Sequence, residues 1–248
     1  MTNNINFPQG AGIASHLAPQ VIQTKFGDIN GDGFFETIFL MGTQRPGSPL
    51  WENITLTIFY GQTGRIEQIP LKENVGYHPT IFLGDFTGNH IEDIMVISAT
   101  GGSGGIINGE IFSSTNNQVH SIFDTESFNT KLQYTVNYAN NYKAVVQSKA
   151  PAKKYILDLQ YKGPEYLAEI YHSDGTLKQP IEGWVDPISG LYPVDYDRDG
   201  TYEILAYQEI AGRYHADGLG YVENILKWDG HEFVVDRQTV SIFGEDLP

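Results

Sequence analysis

The sequence predicts an all-β fold, a β-propeller of four blades with four antiparallel strands each; the length would also admit five. Three observations carry that prediction. An acidic loop occurs three times in one register, an apolar run rich in β-branched residues follows each copy, and the copies are spaced as an array of β units with a period of ~50–60 residues would be.

The first loop is Asp28-Ile29-Asn30-Gly31-Asp32-Gly33-Phe34-Phe35-Glu36. The second is Asp85-Phe86-Thr87-Gly88-Asn89-His90-Ile91-Glu92-Asp93, and the third is Asp195-Tyr196-Asp197-Arg198-Asp199-Gly200-Thr201-Tyr202-Glu203. Side-chain oxygens at positions 1, 3, 5 and 9 and the carbonyl of position 7 suit Ca²⁺, a hard cation that takes roughly six to eight oxygens. Glycine at position 6 supplies the sharp turn. The expected ligands are Asp28, Asn30, Asp32, Phe34 and Glu36 in the first loop, and Asp85, Thr87, Asn89, Ile91 and Asp93 in the second. In the third they are Asp195, Asp197, Asp199, Thr201 and Glu203. Thr87, Asn89 and His90 depart from the pattern, so the second loop is expected to be the weakest of up to three calcium sites. One such loop could be an ordinary Asx-rich turn, but three in one register argue against it. An EF-hand is excluded, because position 12 is Phe39, Val96 or Ala206 instead of Glu, and strand-like runs replace the flanking helices.

The blades are expected at about 21–78, 79–129, 130–189 and 190–248, after an N-terminal extension over 1–20. In the first the strands are Val21–Phe26, Thr37–Met41, Ile54–Tyr60 and Arg65–Leu71. In the second they are Thr80–Gly84, Asp93–Ser98, Ile106–Phe112 and Gln118–Asp124. The step from Asp85 to Asp195 is about twice that from Asp28 to Asp85, so a unit with a decayed loop belongs between them. Asn137–Val146 fills that place without a carboxylate and is expected to bind no metal. Its strands are Lys131–Val136, Lys143–Gln147, Lys154–Gln160 and Tyr166–His172. The last unit gives Leu191–Val194, Glu203–Gln208, Val222–Trp228 and Glu232–Val240, and no segment shows a sustained helical period.

The acidic loop between first and second strands, with Phe59-Tyr60-Gly61 ending the third, resembles the FG-GAP/VCBS repeats of integrin-α-like propellers and bacterial surface proteins. That resemblance spans about Val21 to Val240, although Gly61-Gln62-Thr63-Gly64 replaces the Gly-Ala-Pro of many members. It implies a calcium-binding propeller at a cell surface or outside the cell.

The formal net charge of −15 repels phosphate backbones and anionic headgroups, which excludes nucleic acid as an expected partner. No run approaches the ~20 apolar residues of a membrane span. Met1-Thr2-Asn3-Asn4-Ile5-Asn6 has neither the basic region nor the apolar core of an export signal. The absence of Cys excludes disulfides and thiol catalysis.

Antiparallel connectivity sends the acidic loops to one end and the longer loops to the other, where binding residues concentrate. Candidate ligand contacts there are Arg45, Trp51, Tyr77, His78, Trp184, Arg213, Tyr214 and His215. The Trp residues could equally fill gaps in the core. The expected function is a non-enzymatic binding or assembly module for protein or glycan at a bacterial surface, matrix or spore-like layer. The alternatives are a lectin, for which Trp51, Ile107 and Tyr221 do not repeat cleanly, and a polysaccharide-cleaving enzyme. An enzyme would need two carboxylates across one cleft, and Asp186, Asp217 and Glu223 are the candidates.

Overall fold

The computed structural model describes residues 17–115 and 117–244; most of the expected extension over 1–20 lies outside them. The all-β expectation holds, in two sheets. The first contains β1 (Gln20–Gly27), β2 (Glu36–Gln44), β3 (Leu50–Phe59), β4 (Ile66–Pro70), β5 (Gly76–Gly84), β6 (Asp93–Ala99), β7 (Ile107–Thr115) and β8 (Gln118–Asp124). The second contains β9 (Tyr134–Ala139), β10 (Lys143–Lys149), β11 (Ala152–Asp158), β12 (Glu182–Val194), β13 (Glu203–Ala211), β14 (Gly218–Trp228) and β15 (Phe233–Ser241).

Pairing divides these strands into four antiparallel meanders: β1–β4, β5–β8, β9–β11 and β12–β15. Short ladders join them in twos. Leu50 and Trp51 of β3 pair with Tyr77 and Gly76 of β5, and Asn137 and Val136 of β9 pair with Glu182 and Gly183 of β12. The seven-stranded sheet runs β11-β10-β9-β12-β13-β14-β15 and curls into a nearly closed barrel. Its two edge strands meet where Lys153 Nζ (3.1 Å) and the Tyr155 hydroxyl (3.0 Å) of β11 donate to the Gln238 carbonyl of β15.

Two helices correct the purely strand-based reading. The segment expected as a strand over Tyr166–His172 is mostly α2 (Gly163–Ile170). Pro164 opens it, where its missing N–H costs nothing. Tyr166, Leu167, Ile170 and Tyr171 form an apolar stripe that packs into the barrel core. An alternation of Tyr166, Ala168 and Ile170 imitates a strand in sequence, and Pro164 with Glu165 is the signal that decides for helix. The second helix, α1 (Thr125–Lys131), is capped by Asp124, whose carboxylate accepts from the Ser127 N–H at 2.7 Å.

Three cores order the units. Ile38, Leu40, Leu56 and Ile58 of the first meander face Ile94, Val96 and Phe112 of the second. Met95, Ile111 and Phe123 of the second face Ile188, Ile204, Ala206 and Leu226 of the fourth. Val136, Tyr138, Ala144 and Val146 of the third face Ile210, Leu219 and Val222 of the fourth. Both faces of β6 are therefore packed, with Asp93 to Val96 all buried. The sequence of contacts is first, second, fourth, third. A propeller closed in chain order would put the third unit against the second. Here the third curls against the fourth instead, and the second receives the fourth on its free face.

Candidate metal centres

The three acidic loops share one hydrogen-bond framework. The position-2 N–H donates to the position-9 carboxylate: Ile29 to Glu36 at 3.2 Å, Phe86 to Asp93 at 2.9 Å, and Tyr196 to Glu203 at 3.2 Å. The position-1 Asp accepts from the N–H groups of positions 5 and 6 in every copy, at 2.7–3.3 Å. The position-5 side chain accepts from the position-7 N–H at 2.7–2.8 Å. Asn89 thus does the structural work of Asp32 and Asp199. Position 6 is left-handed throughout, with φ of 83° at Gly33, 64° at His90 and 90° at Gly200. Only His90 holds that conformation against a Cβ.

The loops also stack on one another. The Glu92 N–H donates to the Asp28 carbonyl at 3.3 Å, and the Tyr202 N–H donates to the Asp85 carbonyl at 2.7 Å. In both contacts position 8 of one loop meets position 1 of the preceding one. The residue before each receiving Asp is glycine, because a Cβ on Gly27 would strike the Glu92 carboxylate and one on Gly84 would come within 2.8 Å of the Tyr202 ring. Position 4 is glycine too, and a Cβ on Gly31 would lie 2.7 Å from Ile91 Cδ1. The third loop carries Val194 and Arg198 at these two places. Among the described residues no further loop donates a backbone hydrogen bond to the Asp195 carbonyl, and the stack ends there.

Burial and charge set the chemistry. Glu36, Asp93 and Glu203 are all buried. Desolvation holds the Glu36 carboxyl above its ordinary range; the Ile29 N–H offsets part of this, and the nearby Asp32 and Asp28 charges add to it. Burial likewise raises Asp93, and the Ser113 hydroxyl and Phe86 N–H soften the effect without closing a hydrogen bond on Oδ1. Asp93 Oδ1 and Thr87 Oγ1 are buried without a partner. They belong to positions 9 and 3 of the second loop, two of the atoms expected to hold a cation.

In the third loop Asp195, Asp197 and Asp199 each bring a carboxylate oxygen within 4.8 Å of the others, the one such acidic convergence among the described residues. Sequence reasoning missed a competitor. Lys227 Nζ lies 3.3 Å from Asp197 and 3.2 Å from Glu203. Register explains it: Phe59, Phe112 and Leu226 pair with position 10 of the three units, so Tyr60, Ser113 and Lys227 follow at equivalent places beside position 9. Extending the repeat alignment to the third strand of each unit would have exposed this. The decayed loop of the third unit is a tight turn through Asn141 (φ 63°) and Tyr142 (φ 60°).

The expected ligand-face residues fall into two groups that no hydrogen bond or ring contact joins among the described residues. Arg45 is engaged by Glu52 at 3.1 Å, Trp51 packs on the first core, Tyr77 lies against Gly101, and His78 sits at a β5 irregularity with φ 47°. The second group gathers around the barrel. Trp184 Nε1 donates to Asp186 at 2.8 Å, His215 Nδ1 lies 3.3 Å from the same carboxylate, and the two rings meet edge to face at 5.1 Å. Arg213 pairs with Glu169 at 2.8 Å and stacks on Tyr166, whereas Tyr214 is exposed. Asp217 is committed to structure: its buried carboxylate lies 2.8 Å from Lys162 and accepts from Tyr166, Tyr138 and the Arg213 N–H.

Residues 132–241, which span the barrel, match the family described as the YybI C-terminal domain. The whole chain is similar to "Uncharacterized protein YybI" of Bacillus subtilis (strain 168), at 53% identity over 249 residues, covering 97% of this chain and 95% of that protein. No solved structure matches. The resemblance to FG-GAP/VCBS repeats is overturned, since no such family is found and the recognised domain lies over units whose sheet curls into a barrel. The acidic loop is a short local solution to holding charge at a strand junction, and it does not by itself define that family.

Proposed function

We propose, from the premise that the chain belongs to the YybI family, that it is a non-enzymatic β scaffold stabilised by Ca²⁺ and acting as a binding or assembly module for protein or glycan. The observation that carries the cation is the pair of buried, unpartnered oxygens of Thr87 and Asp93 inside a framework repeated three times. Buried polar atoms left unpaired cost about 1–3 kcal/mol each, and a bound ion would relieve them. The residues that would hold it are those at positions 1, 3, 5, 7 and 9 of each loop. Because the loops also form the contacts between units, ion binding would strengthen the stack as a whole. Lys227, beside the third loop, and the orphan oxygens of the second reverse the ranking that carboxylate count suggests, making the second loop the more responsive. The expected surface location rested on the FG-GAP/VCBS resemblance and goes with it.

Thermal melts in excess EDTA and in excess Ca²⁺ test the cation. A thousandfold excess over Kd stabilises by about 4 kcal/mol, which for this size raises Tm by roughly 8–16 °C. Identical melts would overturn the reading.

A further inference from the structure

The face of the fourth meander turned away from the shared cores carries a groove of about 570 Å³. Tyr207 and Glu209 of β13 stand directly opposite Glu223 and Tyr221 of β14, a checkerboard of two aromatics and two carboxylates. Tyr192 of β12 extends the aromatic row, with ring centroids 5.7 Å from Tyr192 to Tyr207 and 6.2 Å from Tyr207 to Tyr221, both edge to face. Such contacts hold each ring at a fixed angle. The β6–β7 loop closes one end, with Gly104 on the groove wall.

Among the described residues no Lys, Arg or His forms an ion pair with Glu209 or Glu223. Glu209 is also disfavoured as an anion, first by burial and then by the charge of Asp186, with His215 offsetting part of this. The site asks for positive charge. It does not gather oxygens as a metal site does, since neither Glu joins an acidic convergence. Tyrosine rings attract a cation whose charge is spread over carbon-bound hydrogens, and adjacent carboxylates supply the counter-charge. We propose that this groove binds an organic ammonium ion, of the trimethylammonium or alkylammonium class, between Tyr192, Tyr207 and Tyr221 and against Glu209 and Glu223.

None of the groove residues is an expected metal ligand, so the test is run in calcium-saturated and calcium-free folded protein alike. Choline is the probe and 3,3-dimethylbutan-1-ol its neutral isostere, followed by chemical-shift titration. Choline is expected to bind saturably and about tenfold more tightly than the alcohol, the size of one cation–π and charge contribution. Glu223→Gln and Tyr207→Leu are expected to abolish that preference with the far-ultraviolet spectrum unchanged. If Tyr207→Leu does not fold, Glu223→Gln decides alone. Equal binding of alcohol and choline, no saturable shift, or an unaltered preference in Glu223→Gln would overturn the proposal, as would displacement by neutral sugars.

Discussion

The Tyr202 N–H donates to the Asp85 carbonyl at 2.7 Å and so joins two loops that are far apart in sequence but adjacent in the stack. The Tyr202 ring also packs against Phe82 and Phe86, with centroids 5.1 and 5.9 Å apart. The hydrogen bond and the aromatic cluster fix one spacing between the second and fourth meanders, and Gly84 is what permits it.

Gly84→Ala should therefore loosen the junction. Its Cβ would meet Phe82 and Tyr202 ring atoms at 2.7–2.8 Å, and both rings belong to one aromatic cluster with Phe86 that would have to shift. The expected cost is about 1–3 kcal/mol, as for other overpacked sites. Denaturant unfolding would measure it, and an unchanged midpoint would contradict the stacking role.

His90→Gly should stabilise. A non-glycine residue in left-handed backbone costs roughly 1–2 kcal/mol, and the flexibility of glycine returns part of that to the unfolded chain, leaving a net gain of about 0.5–1 kcal/mol. A Tm rise of roughly 1–4 °C is expected, and a lower Tm would show that the exposed imidazole contributes something its φ of 64° conceals.

Asp93→Asn and Lys227→Gln should move the calcium response in opposite directions. The first removes charge from a buried position whose Oδ1 has no partner; the second frees the Asp197 and Glu203 carboxylates. In calorimetric titrations, Asp93→Asn is expected to weaken its site by at least about tenfold, near 1.4 kcal/mol, and Lys227→Gln to tighten the third. Equal isotherms for both variants and the parent would refute this assignment.

Asp217 predicts an acid limb. Burial opposes its ionisation, but Lys162, the Arg213 N–H and the Tyr166 hydroxyl outweigh it and hold the carboxyl below its ordinary value of 3.8. A lowered folded-state value means stability that is present above pH 3.8 and lost as pH falls through the folded value. Asp217→Asn should flatten that limb. At neutral pH it should cost about 1–3 kcal/mol, because the half-buried Lys162 ammonium loses its carboxylate but keeps the Gly218 carbonyl at 3.0 Å. A pH series of melts on both proteins checks the sign.

Much of this was legible in the chain. The loops, the strands after them and the four-unit count follow from alternation and repeat spacing, and Asp28 through Glu36 predicts its own turn. Neighbour order was not legible, because Met95 and Val96 are equally apolar and only the structure shows that they face different units. Pro164 announced α2, but the Tyr166–Ile170 alternation masked it. Lys227 lies in a third strand, outside the loop motif, and its effect on Glu203 appears only once β13 and β14 are paired.

Val194 and Arg198 turn a repeating surface into a terminus. A protein built by stacking like on like has no intrinsic length, and copies could add end to end into fibres. Here three loops stand in the stack, and the last differs from the two that receive a neighbour by a side chain in place of each glycine.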